Sequence, residues 1–99
     1  MTNPSVSETL SSIFGSDFSG ATQKQRLLLL EAVAFSLRNG CSWSNNLHFV
    51  CARAKAPKMP EECFAFLQIT TNEGLKLLAI LNVAIVEGFA ISAATERLS

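Results

Sequence analysis

Charged side chains are scarce in this sequence. Asp, Glu, Lys and Arg make up 16% of its 99 residues, against 48% apolar residues. A chain of this length forms one domain, and one small domain can hardly bury so large an apolar fraction by itself. We therefore expect a lasting interface, either with a second copy of the chain or with another protein. Eight basic and eight acidic residues cancel, so we expect no binding of nucleic acid.

Motifs that would identify an enzyme are also missing. The sequence has no phosphate-binding glycine loop, no Gly-x-Ser-x-Gly and no helix with paired carboxylates. Its single histidine, His48, lies one helical turn from Cys51. Cys41 and Cys63 would complete a set of three cysteines and one histidine, but the spacing matches no zinc-binding signature. We predict no catalytic residue, no metal ion and no cofactor.

Two further absences concern the cellular compartment. The three cysteines include no Cys-x-x-Cys pair, which fits reduced thiols inside a cell better than a disulfide framework. The first residues lack the basic segment and the continuous apolar segment of a secretory signal. The expected location is the cytoplasm.

What is present predicts an all-α protein, a compact bundle of four to five helices. Residues 1–20 form an N-terminal arm with a possible short helix over 7–14, and 21–99 form a single helical domain. Thr22 with Gln25 is a capping box, and Asn39-Gly40 is a left-handed stop, so 22–38 form a helix. A third helix begins in this region, where Ser42 or Ser44 can cap it. A strand is the alternative there. After Pro60 we expect a short helix that stops near Thr70.

The stretch from Gly74 to Leu98 is the longest predicted helix. Its apolar run contains only three strongly polar residues, Lys76, Asn82 and Glu87. A helix that is apolar nearly all round is either a core helix or a membrane span. Large apolar residues contribute about 3–6 kcal/mol to insertion, whereas one central charge costs about 2.5–3.5 kcal/mol. We predict a long, largely buried C-terminal helix. A membrane-inserted helix remains a further hypothesis, ranked third after the two given below.

Several residues of this helix are candidates for a partner or dimer interface. Ala84, Gly88 and Ser92 recur every four residues, so a second helix can approach closely on that side. Asn82 lies on a face otherwise made of Leu, Ile and Val, where an amide can fix the register of two helices. In the N-terminal arm, Phe14 and Phe18 are candidates for docking onto the body or onto a second subunit.

The resulting hypothesis is a helical protein–protein interaction module that is not an enzyme. It acts as an adaptor, an inhibitor or a regulatory subunit, and its partners are a second copy of itself and another protein. The alternative is a carrier or sensor for a small hydrophobic ligand, in which the apolar helices enclose a pocket. Trp43, His48 and Cys51 are the residues that would form its ligand or polar site.

Overall fold

The computed structural model of the chain describes residues 5–40, 42–55, 59–65 and 68–98, and their side chains as far as residue 90. Over these ranges the secondary structure is helical throughout. It consists of α1 (Val6–Phe14), α2 (Gln23–Asn39), α3 (Trp43–Ala54), a short 3₁₀ helix (Glu61–Phe64) and α4 (Thr71–Leu98). The prediction of an all-α bundle is confirmed, with four α-helices.

Local hydrogen bonds set the ends of α2 where the sequence predicted them. The Thr22 hydroxyl accepts a hydrogen bond from the Gln25 backbone N–H at 3.1 Å, and the Gln25 side chain accepts one from the Thr22 N–H at 2.9 Å. Gly40 adopts the left-handed conformation, with φ of 65°, and donates its N–H to Ser36. Both signals lie within four residues of the helix ends, so they need no tertiary contact to form.

The helical interpretation of the third segment is also confirmed. Ser42 is the N-cap of α3, and its hydroxyl accepts a hydrogen bond from the Asn45 N–H at 3.3 Å. The short helix expected after Pro60 is a single 3₁₀ turn. Phe66 and Leu67, which were included in that prediction, lie outside the described residues.

The longest helices, α2 and α4, pack side by side and run antiparallel. Gly74 near the start of α4 lies beside Leu37 near the end of α2, and Gly88 lies beside Gln23 at the start of α2. The Gln23 side-chain amide donates a hydrogen bond to the backbone carbonyl of Ile85 at 2.8 Å. Helix α3 packs on α2, whereas α1 contacts α4 and the 3₁₀ helix.

All four α-helices and the 3₁₀ helix contribute to one apolar core. The segment predicted as an N-terminal arm supplies several of its largest members. The core residues are Val6, Leu10, Phe14, Phe18, Ala21, Leu28, Leu29, Ala32, Val33, Trp43, Leu47, Val50, Met59, Cys63, Leu77, Leu81, Ala84 and Ile85.

A polar pair crosses this core between α2 and α3. The Ser36 hydroxyl donates to the Ala32 carbonyl at 2.8 Å and accepts a hydrogen bond from the Asn46 side-chain amide at 2.7 Å. Ser36 and Asn46 are both buried. Because a buried polar group without a partner costs about 1–3 kcal/mol, this pair disfavours other alignments of the two helices.

The prediction of a largely buried C-terminal helix needs correction, because α4 is partly exposed. Neighbouring helices α2 and α1 cover one side of it, whereas many of its side chains before residue 91 face solvent. Among the described residues, none of the helices combines the length and the apolar character that a bilayer crossing requires.

Candidate functional site

The exposed side of α4 carries a row of large apolar side chains. Leu75, Val83, Val86 and Phe89 remain 55%, 57%, 59% and 57% exposed. Ala79, Asn82 and Ala90 lie among them and are also exposed. We call these seven residues the outer stripe. Single exposed apolar residues are common on proteins, whereas several large ones on one helix face are less common.

Asn82 lies in the middle of this outer stripe. The sequence placed it on an apolar face, and that face exists, but Asn82 is exposed rather than buried. Its amide can hydrogen bond with water in the isolated chain. It would need a polar partner only when a second molecule covers the outer stripe.

The opposite face of α4 holds the small residues that were predicted to allow a close approach. Ala84 is buried. A methyl group at Gly88 would lie 2.8 Å from the Gln23 side-chain carbon Cδ and 3.0 Å from the Arg26 Nη1 atom. The close neighbour is therefore α2 of the same chain. The side chain of Ser92 lies outside the described residues.

Phe14 and Phe18 pack inside the chain. Their ring centroids are 6.2 Å apart, and both side chains belong to the core. Phe18 has a left-handed φ of 58°. Its carbonyl accepts a hydrogen bond from the Arg26 guanidinium at 2.9 Å. The turn after α1 thereby docks this segment onto α2.

Trp43, a candidate for a ligand site, is fully buried at the start of α3. Its indole N–H donates a hydrogen bond to the Cys63 carbonyl at 2.7 Å. This bond links α3 to the 3₁₀ helix. Trp43 thus has a packing role and a satisfied polar group.

His48 and Cys51, the other two candidates, lie one turn apart on α3 but differ in exposure. His48 is exposed, and its ring stacks on Phe64 with the centroids 4.0 Å apart. Cys51 is half-buried, and this burial raises the pKa of its thiol. Burial, helped by the nearby Glu62 carboxylate, raises the pKa of the Cys63 thiol to about 11. Both thiols stay protonated at neutral pH, which disfavours a nucleophilic role.

A charged groove between α2 and α3 was not anticipated from the sequence. The Phe35 and Phe49 rings lie 5.6 Å apart, with Arg38 over the first ring at 5.9 Å and Arg53 over the second at 5.8 Å. Arg53 also forms an ion pair with Glu31. The charged groups and rings of this groove therefore interact with one another at the protein surface through exposed cation–π contacts and one ion pair.

The described residues include no group of three or more His, Cys, Asp or Glu side chains that could hold a metal ion. Comparison of the chain with models of known protein families, with curated proteins and with solved structures finds no match. The functional argument therefore rests on the geometry of the chain itself.

Sequence reasoning identified an apolar face around Asn82 but did not predict that this face is exposed. The signal for this face was present, because Leu75, Ala79, Asn82, Val86 and Phe89 recur at alternating intervals of four and three residues. The opposite face of the helix has a similar spacing, with Gly74, Leu77, Leu81, Ala84 and Gly88. The sequence pattern alone does not tell which face packs inside the chain.

Proposed function

We propose that this protein is a helical protein–protein interaction module that acts as a homodimer through the outer stripe of α4. One observation carries the proposal, namely four large apolar side chains on one helix face that are each more than half exposed. The scarcity of charge in the sequence points in the same direction, since a monomer leaves this surface in water.

The free energy gained by burying the outer stripe can be compared with the free-energy cost of association. Full burial of a Val, Leu or Phe side chain contributes about 1.5–3 kcal/mol, so covering the exposed half of four such residues contributes about 3–6 kcal/mol per copy. Two copies together gain about 6–12 kcal/mol, which is comparable to the association cost of about 4–15 kcal/mol. A single charge within the outer stripe is therefore enough to shift the equilibrium towards monomer.

Light scattering tests this proposal. At tens of micromolar we expect a mass of twice the 10.7 kDa chain. Val86→Asp should give monomers with an unchanged helical circular dichroism spectrum, because Val86 is 59% exposed and is not one of the core residues. The matched control is Phe49→Asp, which places the same charge at a half-exposed apolar residue of α3 and should leave the dimer intact.

Two results would count against the homodimer. A parent protein that stays at the mass of one chain at these concentrations excludes it. If Val86→Asp and Phe49→Asp both remain dimeric, the protein associates through another surface and the outer stripe has no part in it.

The alternative, a carrier of a small hydrophobic ligand, needs an enclosed apolar pocket. Three grooves on the described residues are instead open and bordered by charged side chains such as Glu31, Lys76 and Glu87. No observation on the described residues favours this alternative over the interaction module.

A further inference from the structure

Five residues of the outer stripe have the spacing that is typical of a helix packed along another helix. Leu75, Ala79, Asn82, Val86 and Phe89 alternate by four and three residues, which gives a repeat of about 3.5 residues. Resting on the homodimer proposed above, we propose that α4 packs antiparallel against α4 of a second copy of this chain. Lys76 of each protomer then faces Glu87 of the partner subunit.

Two opposite charges border the same edge of the outer stripe. Lys76 and Glu87 are both exposed, and at about 3.6 residues per turn their eleven-residue separation places them about 20° apart around the helix axis. The only ion pair among the described residues joins Arg53 to Glu31. Lys76 borders a groove that also holds Glu8 of α1, and Glu87 borders one that also holds Arg26 of α2. Neither forms an ion pair there, so both can pair with a partner at the rim of the outer stripe.

An antiparallel pair brings these charges together. Its two-fold axis is perpendicular to the helices, so the edge that carries Lys76 and Glu87 faces the same edge of the partner. If Leu75 packs opposite Val86 of the partner subunit, Lys76 and the partner's Glu87 differ in height along the helix by about 3 Å. Both symmetry-related pairs form at once, one at each end of the contact.

A parallel pair does not bring them together. There the edge with Lys76 faces the opposite edge of the partner helix, where Leu78 and Ile85 lie and which carries no carboxylate between residues 71 and 90. The charges therefore favour the antiparallel orientation. In the antiparallel register Asn82 lies across from Ala79 of the partner subunit. Both Asn82 amides come close to the two-fold axis, where they can hydrogen bond to each other.

Charge reversal tests this orientation in the full chain. In a homodimer Lys76→Glu replaces two attractive pairs with two repulsive ones, as does Glu87→Lys. At low salt each variant should raise the dimer dissociation constant about ten-fold, as measured by sedimentation equilibrium. The double variant restores both pairs with reversed signs and should return to within about three-fold of the parent.

Mixing the two single variants gives the sharpest readout. A heterodimer of Lys76→Glu with Glu87→Lys contains two attractive pairs, whereas each homodimer contains two repulsive pairs. We expect the mixture to form heterodimers in excess over the statistical proportion at low salt, and this excess should shrink in high salt. Lys24→Glu, on the exposed start of α2, is the control for net charge and should leave the dissociation constant unchanged.

The outcomes separate this inference from the proposed function. A dimeric parent whose charge variants all behave like Lys24→Glu, with no heterodimer preference, overturns the antiparallel arrangement and leaves the homodimer standing. A monomeric parent overturns both. Weakened single variants, a restored double variant and preferential heterodimers support the antiparallel pair.

Discussion

Two glycines of α4 lie where a methyl group would meet side chains of α2. At Gly74 it would come within 2.7 Å of Leu37 Cδ2 and 3.0 Å of Leu37 Cγ, whereas at Gly88 it would meet the polar ends of Gln23 and Arg26. Leu37 is partly buried and packs against the core, so moving its side chain would disturb that packing. The Gln23 side chain can swing towards solvent, although it then loses its hydrogen bond to Ile85.

These differences predict an order of stability in denaturant unfolding. Gly88→Ala should change the unfolding free energy little, because a helix-propensity gain of about 1 kcal/mol offsets the lost hydrogen bond. Gly74→Ala should lose about 1 kcal/mol, and Gly88→Leu about 1–3 kcal/mol. If Gly88→Leu is as stable as the parent, then α2 does not pack closely at this position.

The buried thiol of Cys63 predicts a pH dependence. Its pKa of about 11 lies above that of an unfolded cysteine, so between about pH 9 and 11 the unfolded chain loses a proton that the folded chain keeps. Stability is therefore fully present below about pH 9 and falls by up to about 1.4 kcal/mol per pH unit above it.

Unfolding of Cys63→Ala at several pH values checks this effect. The variant loses some packing at every pH, but its stability should decline less between pH 9 and 11 than that of the parent. Equal slopes for the two proteins would show that the Cys63 thiol does not keep its proton in the folded state.

At the scale of elements, one carboxylate joins α1 to α4. Thr70 and Glu73 have the residue types and the spacing of a capping box. Half of this box forms, since the Thr70 hydroxyl accepts a hydrogen bond from the Glu73 N–H at 3.2 Å. The Glu73 carboxylate instead accepts a hydrogen bond from the Ser7 N–H in the first turn of α1 at 2.7 Å. An anion at a helix N-terminus also interacts favourably with the helix dipole.

This contact predicts that Glu73 stabilises the docking of α1. Glu73→Ala should lower the free energy of unfolding by about 1–2 kcal/mol and speed amide hydrogen exchange in α1 more than in α2 or α3. Glu73→Gln is the matched control, because it keeps the acceptor and loses only the charge, so it should lie between the parent and Glu73→Ala. Unchanged exchange in α1 would contradict this role.

At the scale of the whole molecule, the bundle covers α4 on one side. Helices α2 and α1 pack along it, while α3 packs on α2 and on the 3₁₀ helix. In a single small domain the number of helices limits how much of a long apolar helix can be covered. On the described part of α4 the outer stripe stays in water, and the proposed association would remove it from water.

The ends of the helices could be predicted from the sequence because their causes are local. Thr22 begins α2, Gly40 ends it and Ser42 begins α3, and each signal acts across a few residues. Which side of α4 lies inside the bundle could not be predicted. Its two faces have similar apolar spacing, so only the position of α2 distinguishes them.

The sequence by itself therefore determined the helical class and the capped ends of α2 and the start of α3. Only the tertiary structure decided that Gly88 packs against Gln23, that Phe18 is buried, and that the outer stripe faces solvent. The physical reason is distance along the chain. The hydrogen bond between Gln23 and Ile85 joins residues 62 positions apart, and the one between Ser7 and Glu73 joins residues 66 positions apart. A local sequence pattern does not indicate which distant residue a side chain will contact.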